Sequence, residues 1–174
     1  MKKLLIVVDM QNDFIDAALG SKEAQSIVDN VCRKIEQFEG DIFATFDTHS
    51  ENYMQTLEGK KLPVPHCIEG SEGHKLNPKV EQALAAKGYT PVQKHTFGSF
   101  ALAELIKENY QPGTFEIELI GLCTDICVVS NALLLRATFP DTAICVDAAC
   151  CAGVTPAAHE AALTTMKSCQ IDIV

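Results

Sequence analysis

The chain has 174 residues, 47% of them hydrophobic, and a formal net charge of −9. The length suits one domain spanning residues 1–174 with a single substantial core, and the charge argues against a nucleic-acid face, which needs clustered Lys and Arg. No apolar run approaches the roughly 20 residues of a membrane span.

The opening Met1-Lys2-Lys3-Leu4-Leu5-Ile6-Val7-Val8-Asp9 has the charged start of a signal peptide, but its apolar stretch is short and runs straight into Asp9. We read it as a first strand, Leu4 to Val8, and expect a cytoplasmic protein. Ser21 opens an amphipathic helix from Lys22 to Phe38, and Asp41 to Phe46 reads as a second strand. The stretch from Asp47 to Asn77 is irregular and carries His49, His66 and His74. Long irregular segments in compact domains are often functional.

Asn77-Pro78 starts a short helix with Pro at its first position, ending near Gly88. Strand Thr90 to Gln93 follows, then a helix from Ser99 to Asn109, then a Pro112-Gly113 turn. Strand Phe115 to Leu122 leads into a helix from Asp125 to Ala137, with Thr124 or Asp125 as its N-cap. Strand Thr142 to Val146, helix Pro156 to Ser168 and a last strand Gln170 to Val174 complete the chain. Six strands alternating with helices predict an α/β fold, a three-layer α/β/α sandwich with a mostly parallel sheet.

Ligands of such sheets bind at the C-terminal ends of the strands. Asp9, Lys94 and Cys127 each follow a predicted strand, so an acid, an amine and a thiol would share one crevice, a candidate activated nucleophile. Cys127 falls in the first turn of its helix, where the dipole and the backbone N–H groups favour a thiolate, and a nearby Lys94 would favour it further. Asp9 would take the thiol proton and return it to a leaving amine. Asn12 and Asp13 read as loop-fixing residues. The other cysteines, 32, 67, 123, 145, 150, 151 and 169, form no Cys-x-x-Cys pair and read mostly as small buried residues, with Cys145 in the core. Asp47 and His49, at i and i+2 of an extended segment, can face one ion.

The segments Val8-Asp9-Met10-Gln11-Asn12-Asp13-Phe14, Asp47-Thr48-His49, Pro65-His66-Cys67-Ile68-Glu69-Gly70-Ser71-Glu72-Gly73, Lys94, and Gly121-Leu122-Cys123-Thr124-Asp125-Ile126-Cys127-Val128 stand in one order along nearly the whole chain. Together they resemble the isochorismatase-like cysteine hydrolases, and the nicotinamidase branch most closely. The resemblance implies a Cys-Asp-Lys amidase that converts nicotinamide to nicotinate and ammonia through a thioester on Cys127. It implies an oxyanion hole from the backbone N–H groups of Cys123 and Cys127, and a cis peptide at Leu122-Cys123. It makes His66 a third metal ligand beside Asp47 and His49. A fourth ligand varies within the family, with Glu58 the better candidate here and Glu51 the second. An Asp/His/His set suits a divalent metal, zinc first and manganese or iron as alternatives.

One departure stands out. The family usually places a Trp shortly before the Pro-His-Cys step, to stack on the pyridine ring, whereas this chain has no Trp and Leu62-Pro63-Val64 occupies that stretch. Phe14 and Phe97 are the remaining candidates for pocket walls. The alternatives are a related cysteine amidase acting on another small carboxamide or carbamoyl substrate, and a catalytically silent metal-binding relative. The expected partner is a small-molecule amide, without nucleic acid or membrane; the sequence leaves the oligomeric state open, a homo-oligomer included.

Overall fold

In the computed structural model, which describes Met1–Val174, one six-stranded sheet runs through the molecule in the order β3-β2-β1-β4-β5-β6. Its strands are β1 (Lys2–Val8), β2 (Asp41–Asp47), β3 (Thr90–Lys94), β4 (Phe115–Leu122), β5 (Ile144–Ala152) and β6 (Asp172–Ile173). Every pairing is parallel. β1 lies in the middle because Leu4 to Val8 is apolar throughout and 0% exposed, which suits a strand covered on both faces. β5 runs well beyond the expected Val146, through an irregularity opposite Leu119 and Gly121 in β4, and β6 is shorter than expected.

The helices are α1 (Asn12–Ile15), α2 (Lys22–Gln37), α3 (Leu57–Lys61), α4 (Pro78–Lys87), α5 (Phe100–Asn109), α6 (Val129–Thr138) and α7 (Pro156–Ser168). Side chains of α5, α6 and α7 pack on one face of the sheet against Leu4, Ile6, Val8, Ile117 and Leu119. Those of α2 and α4 pack on the other against Leu5, Val7, Ile42, Ala44 and Ile120. The alternation of Cβ direction along each strand produces this division, so the apolar core is two layers separated by the sheet. Ser21, Asn77 and Ser99 cap α2, α4 and α5 by accepting from the N–H groups of Ala24, Lys79 and Leu102. No helix is long and apolar enough to cross a membrane.

Two further regions differ from expectation. The irregular stretch after β2 holds a 3₁₀ turn at Tyr53–Gln55 and the short α3. The helix expected from Asp125 to Ala137 instead begins as a π-helical turn, Thr124–Val128, continued by α6. Cys123 is the N-cap there and its side chain makes no capping bond. Thr124 does not cap because its Oγ1 pairs with His159 Nδ1 at 2.8 Å, and Asp125 does not because its carboxylate accepts from Val154 N–H at 3.0 Å. Both polar side chains tie the turn to the start of α7, a tertiary use that local helix rules do not anticipate.

Candidate active site

Strand order places the site. The chain moves outward from β1 to β2 and β3, then returns to pair β4 on the other side of β1, so the crevice at this reversal opens beside the C-terminal ends of β1 and β4. Asp9 directly follows β1, in the left-handed region at φ 48°. Lys94 ends β3, and the π-helical turn carrying Cys127 follows β4 after the cis peptide Leu122-Cys123. Gly121 lets β4 approach β1 this closely, since a Cβ there would sit 2.2 Å from Val8 O at a φ of +116°.

The acid, amine and thiol meet. Lys94 Nζ lies 2.7 Å from Asp9 Oδ2, 3.4 Å from Cys127 Sγ and 3.2 Å from Asp47 Oδ1, and it donates to Thr96 O at 3.2 Å. Asp9, Lys94 and Cys127 are buried. Thr45 Oγ1 donates to Asp9 Oδ1 at 2.6 Å, while Oδ2 has no hydrogen-bond donor beyond its ion pair with Lys94. Burial works against the Lys94 charge, but Asp9, Cys127 and Asp47 outweigh it and hold the ammonium firmly protonated. Burial raises Asp9 above the ordinary carboxylate range, against the pull of Lys94.

The thiol is under opposing influences. Burial, reinforced by the Asp9 charge, pushes Cys127 well above an ordinary thiol, and Lys94 offsets only part of this. Burial thus favours a thiol beside a carboxylate of raised basicity, against the thiolate that a helix start and a nearby lysine favour. Desolvation, which local sequence does not report, makes the difference.

Next to this group stands a second polar cluster. His49 Nε2 is 3.0 Å and His66 Nε2 3.6 Å from Asp47 Oδ2, and Glu58 Oε1 lies 3.7 Å from each of the same imidazole nitrogens. The stretch before α4 returns alongside β2: His49 N–H donates to Cys67 O and Glu69 N–H to His49 O, which brings His66 beside His49. Tyr53 packs edge-on against both rings and donates its hydroxyl to Leu62 O at 2.8 Å. His66 Nδ1 is bonded to Val64 O at 2.8 Å, so Nε2 remains the free lone pair. Two imidazole nitrogens and the Asp47 carboxylate converge in one place, with Glu58 Oε1 beside them, a set that fits a divalent transition metal. Asp47 is held well below the ordinary carboxylate range, the neighbouring His49 and His66 imidazoles and the charge of Lys94 overcoming burial. Glu51, the second candidate for the fourth ligand, is exposed and outside the cluster. His74 is also outside it, paired through Nε2 with Thr48 Oγ1.

Both groups face one cavity of about 480 Å³, lined by Phe14, Phe97, Asp47, Glu58, His66 and Cys127 among others. Phe14 is buried against the His66 ring and Phe97 is 46% exposed at the mouth. In the stretch where the family carries its Trp, Leu62 reaches the cavity lining but Pro63 and Val64 do not. Asn12 donates to Glu72 O, and Asp13 accepts from the N–H groups of Cys67 and Ala18. Among the other cysteines, all eight thiols being free, Cys67, Cys150 and Cys151 are buried while Cys145 is only half-buried, because β5 lies toward the sheet edge beside the short β6.

Three residues that matter here carry no role legible in the sequence, although Gln11 lies within the opening motif. Thr45 holds Asp9, as described. Gln11 clamps the Asp47 backbone from both sides, accepting from its N–H at 2.8 Å and donating to its C=O at 2.9 Å. Asn131 donates to Cys127 O and Phe97 O and accepts from Ser99 N–H. The only signal for Thr45 was its place two residues before Asp47 in β2; Asn131 gave none beyond being polar in an apolar helix.

The isochorismatase domain model matches residues 3–174. The chain is 30% identical over 143 residues, 76% of it and 78% of the relative, to an uncharacterized isochorismatase family protein PncA of Bacillus subtilis. It is 26% identical to the nicotinamidase/pyrazinamidase of Mycobacterium tuberculosis, covering 99% of this chain and 98% of that one. The crystal structure of nicotinamidase/pyrazinamidase PncA from Bacillus subtilis superposes with a TM-score of 0.87 at 28% identity over the whole of both chains. That of the pyrazinamidase of Pyrococcus horikoshii in complex with zinc gives 0.79 at 26% identity, covering 100% and 99% of the two chains. With a parallel sheet of the same architecture and a matching model along nearly its full length, the chain belongs to the isochorismatase family.

Proposed function

We propose that this protein is a nicotinamidase-type cysteine amidohydrolase, working in the cytoplasm as one hydrolase domain on nicotinamide and water to give nicotinate and ammonia. The observation that carries the reading is Lys94. Its Nζ touches Asp9, Cys127 and Asp47 at once, joining a nucleophile and its base to a four-donor metal cluster within one cavity. Relatives named nicotinamidase/pyrazinamidase support the choice of amide.

In this reading Cys127 Sγ forms a bond to the carboxamide carbon as its proton passes to Asp9 Oδ2. The raised basicity of the buried Asp9 suits that transfer. The backbone N–H groups of Cys123 and Cys127 receive the negative oxygen. The C–N bond then breaks, and Asp9 returns the proton to the departing nitrogen as ammonia. A water deprotonated by Asp9 attacks the thioester, releases nicotinate and restores the thiol. Lys94 keeps its charge throughout and balances whichever of Asp9 and Cys127 is anionic.

Asp47, His49, His66 and Glu58 would hold a divalent ion, zinc in our reading. The chemistry it supplies when bound is Lewis acidity toward the pyridine nitrogen, which orients the ring. Phe14 and Phe97 would wall the ring. The test is ammonia release from nicotinamide and a panel of small amides, with elemental analysis of the same sample. Preferred hydrolysis of nicotinamide by a metal-containing protein is expected; a metal-free protein, or one that prefers a carbamoyl substrate, would favour a related cysteine amidase.

A further inference from the structure

The two oxygens of the Asp9 carboxylate are not equivalent, and a residue outside the acid, amine and thiol makes them so. Thr45 Oγ1 donates to Oδ1 at 2.6 Å and accepts from the Asp9 N–H at 3.2 Å. An amide N–H cannot accept, so the hydroxyl proton has one direction, toward Oδ1. Thr45 is 0% exposed, and it projects from β2, which pairs directly with β1. Oδ2 faces Lys94 and is held by no hydroxyl or amide, and the carboxylate lies beside the Cys127 thiol.

We propose that Thr45 is a positioning residue that holds Oδ1, leaving Oδ2 as the single atom that takes the Cys127 proton and later delivers it to the leaving nitrogen. The proposal rests on the amidase reading above. A hydroxyl donating to a carboxylate favours its charged form, so Thr45 also limits how tightly Asp9 keeps the proton. The charged and titratable groups around Asp9 are Lys94, Asp47, Cys127, Cys67 and Cys123, and replacing Thr45 leaves all five in place. Without the hydroxyl, Asp9 would hold the proton more strongly. Cys127 would then lie further toward thiolate, because a protonated Asp9 no longer opposes its charge. The same proton would be given up less readily when C–N cleavage needs it. Thr45 thus has opposite effects on the two halves of one proton's path.

The experiment compares Thr45→Val, which keeps the shape and loses the hydroxyl, with Thr45→Ser, which keeps the hydroxyl. For T45V we expect kcat on nicotinamide to fall about tenfold or more with KM within about twofold, the range of lost general acid–base help. At neutral pH, alkylation of Cys127 by iodoacetamide, followed by mass spectrometry of its peptide, should become at least about threefold faster in T45V. T45S should stay within about threefold of the parent in both measurements. An unchanged kcat in T45V, a T45S as impaired as T45V, or a kcat and alkylation rate that fall together would each overturn the proposal, the last two pointing to packing alone. If the parent protein hydrolyses no nicotinamide while the alkylation contrast persists, the substrate reading fails and the assignment of Thr45 stands. If nicotinamide is hydrolysed and the contrast is missing, Thr45 is not the positioning residue.

Discussion

At the residue scale the proposed chemistry depends on one thiol among eight. Cys127→Ala should abolish ammonia release, while Cys32→Ala and Cys145→Ala keep it, because only Cys127 touches Lys94 and lines the cavity. Turnover by a Cys127→Ala variant would end the covalent mechanism. Asp9→Asn preserves shape but cannot accept the thiol proton, so a loss of about 10²–10⁴-fold in kcat is expected with the fold intact by circular dichroism; near-normal turnover would reduce Asp9 to a loop anchor. Metal removal should act differently. Chelation should collapse nicotinamide hydrolysis but leave Cys127 reactive toward a thiol reagent. Benzamide, which lacks the ring nitrogen, should be the poorer substrate before chelation and lose less by it. Equal rates on the two amides would remove the orienting role assigned to Asp47, His49, His66 and Glu58.

Elements hold these residues through contacts that local propensity does not describe. Asn131 of α6 joins the nucleophile turn, the start of α5 and the Phe97 wall by three hydrogen bonds. Asn131→Ala leaves those main-chain groups without a partner, at a cost of about 2–4 kcal/mol. A lower urea midpoint and a higher KM for nicotinamide, the latter through the released Phe97, are the expected results; a variant as stable as the parent would show that water replaces the side chain freely. Helix starts with conventional caps, at Ser21, Asn77 and Ser99, were legible because the capping bond is local. The start at Cys123 was not, because Thr124 and Asp125 spend their side chains on α7 and its approach.

For the whole molecule, burial of thiols predicts a pH dependence. Burial raises Cys145 to about 11 and Cys123 and Cys150 to about 12, from an ordinary 9.0. The folded state thus keeps protons that the unfolded chain gives up. Since these folded values lie above the unfolded one, the stabilisation is fully present below pH 9 and is lost as pH rises through 9 toward 12. The urea midpoint at pH 10.5 should therefore be clearly lower than at pH 8; an unchanged midpoint would show that these thiols ionise alike in both states.

By itself the sequence determined the alternation of strands and helices, the six strands, and the presence of Asp9, Lys94 and Cys127 at strand ends, since periodicity, caps and contiguous motifs are local properties of a chain. It also placed Asp47 and His49 on one side of an extended segment. Only the tertiary structure decided the rest. The strand order put Asp47 against Lys94, and the folded-back loop brought Glu58 rather than Glu51 beside His49 and His66. The pairing of β2 with β1 brought Thr45 to Asp9. Packing works against a charge on Cys127, because desolvation comes from every element that closes over a group, and no stretch of sequence around that group records it.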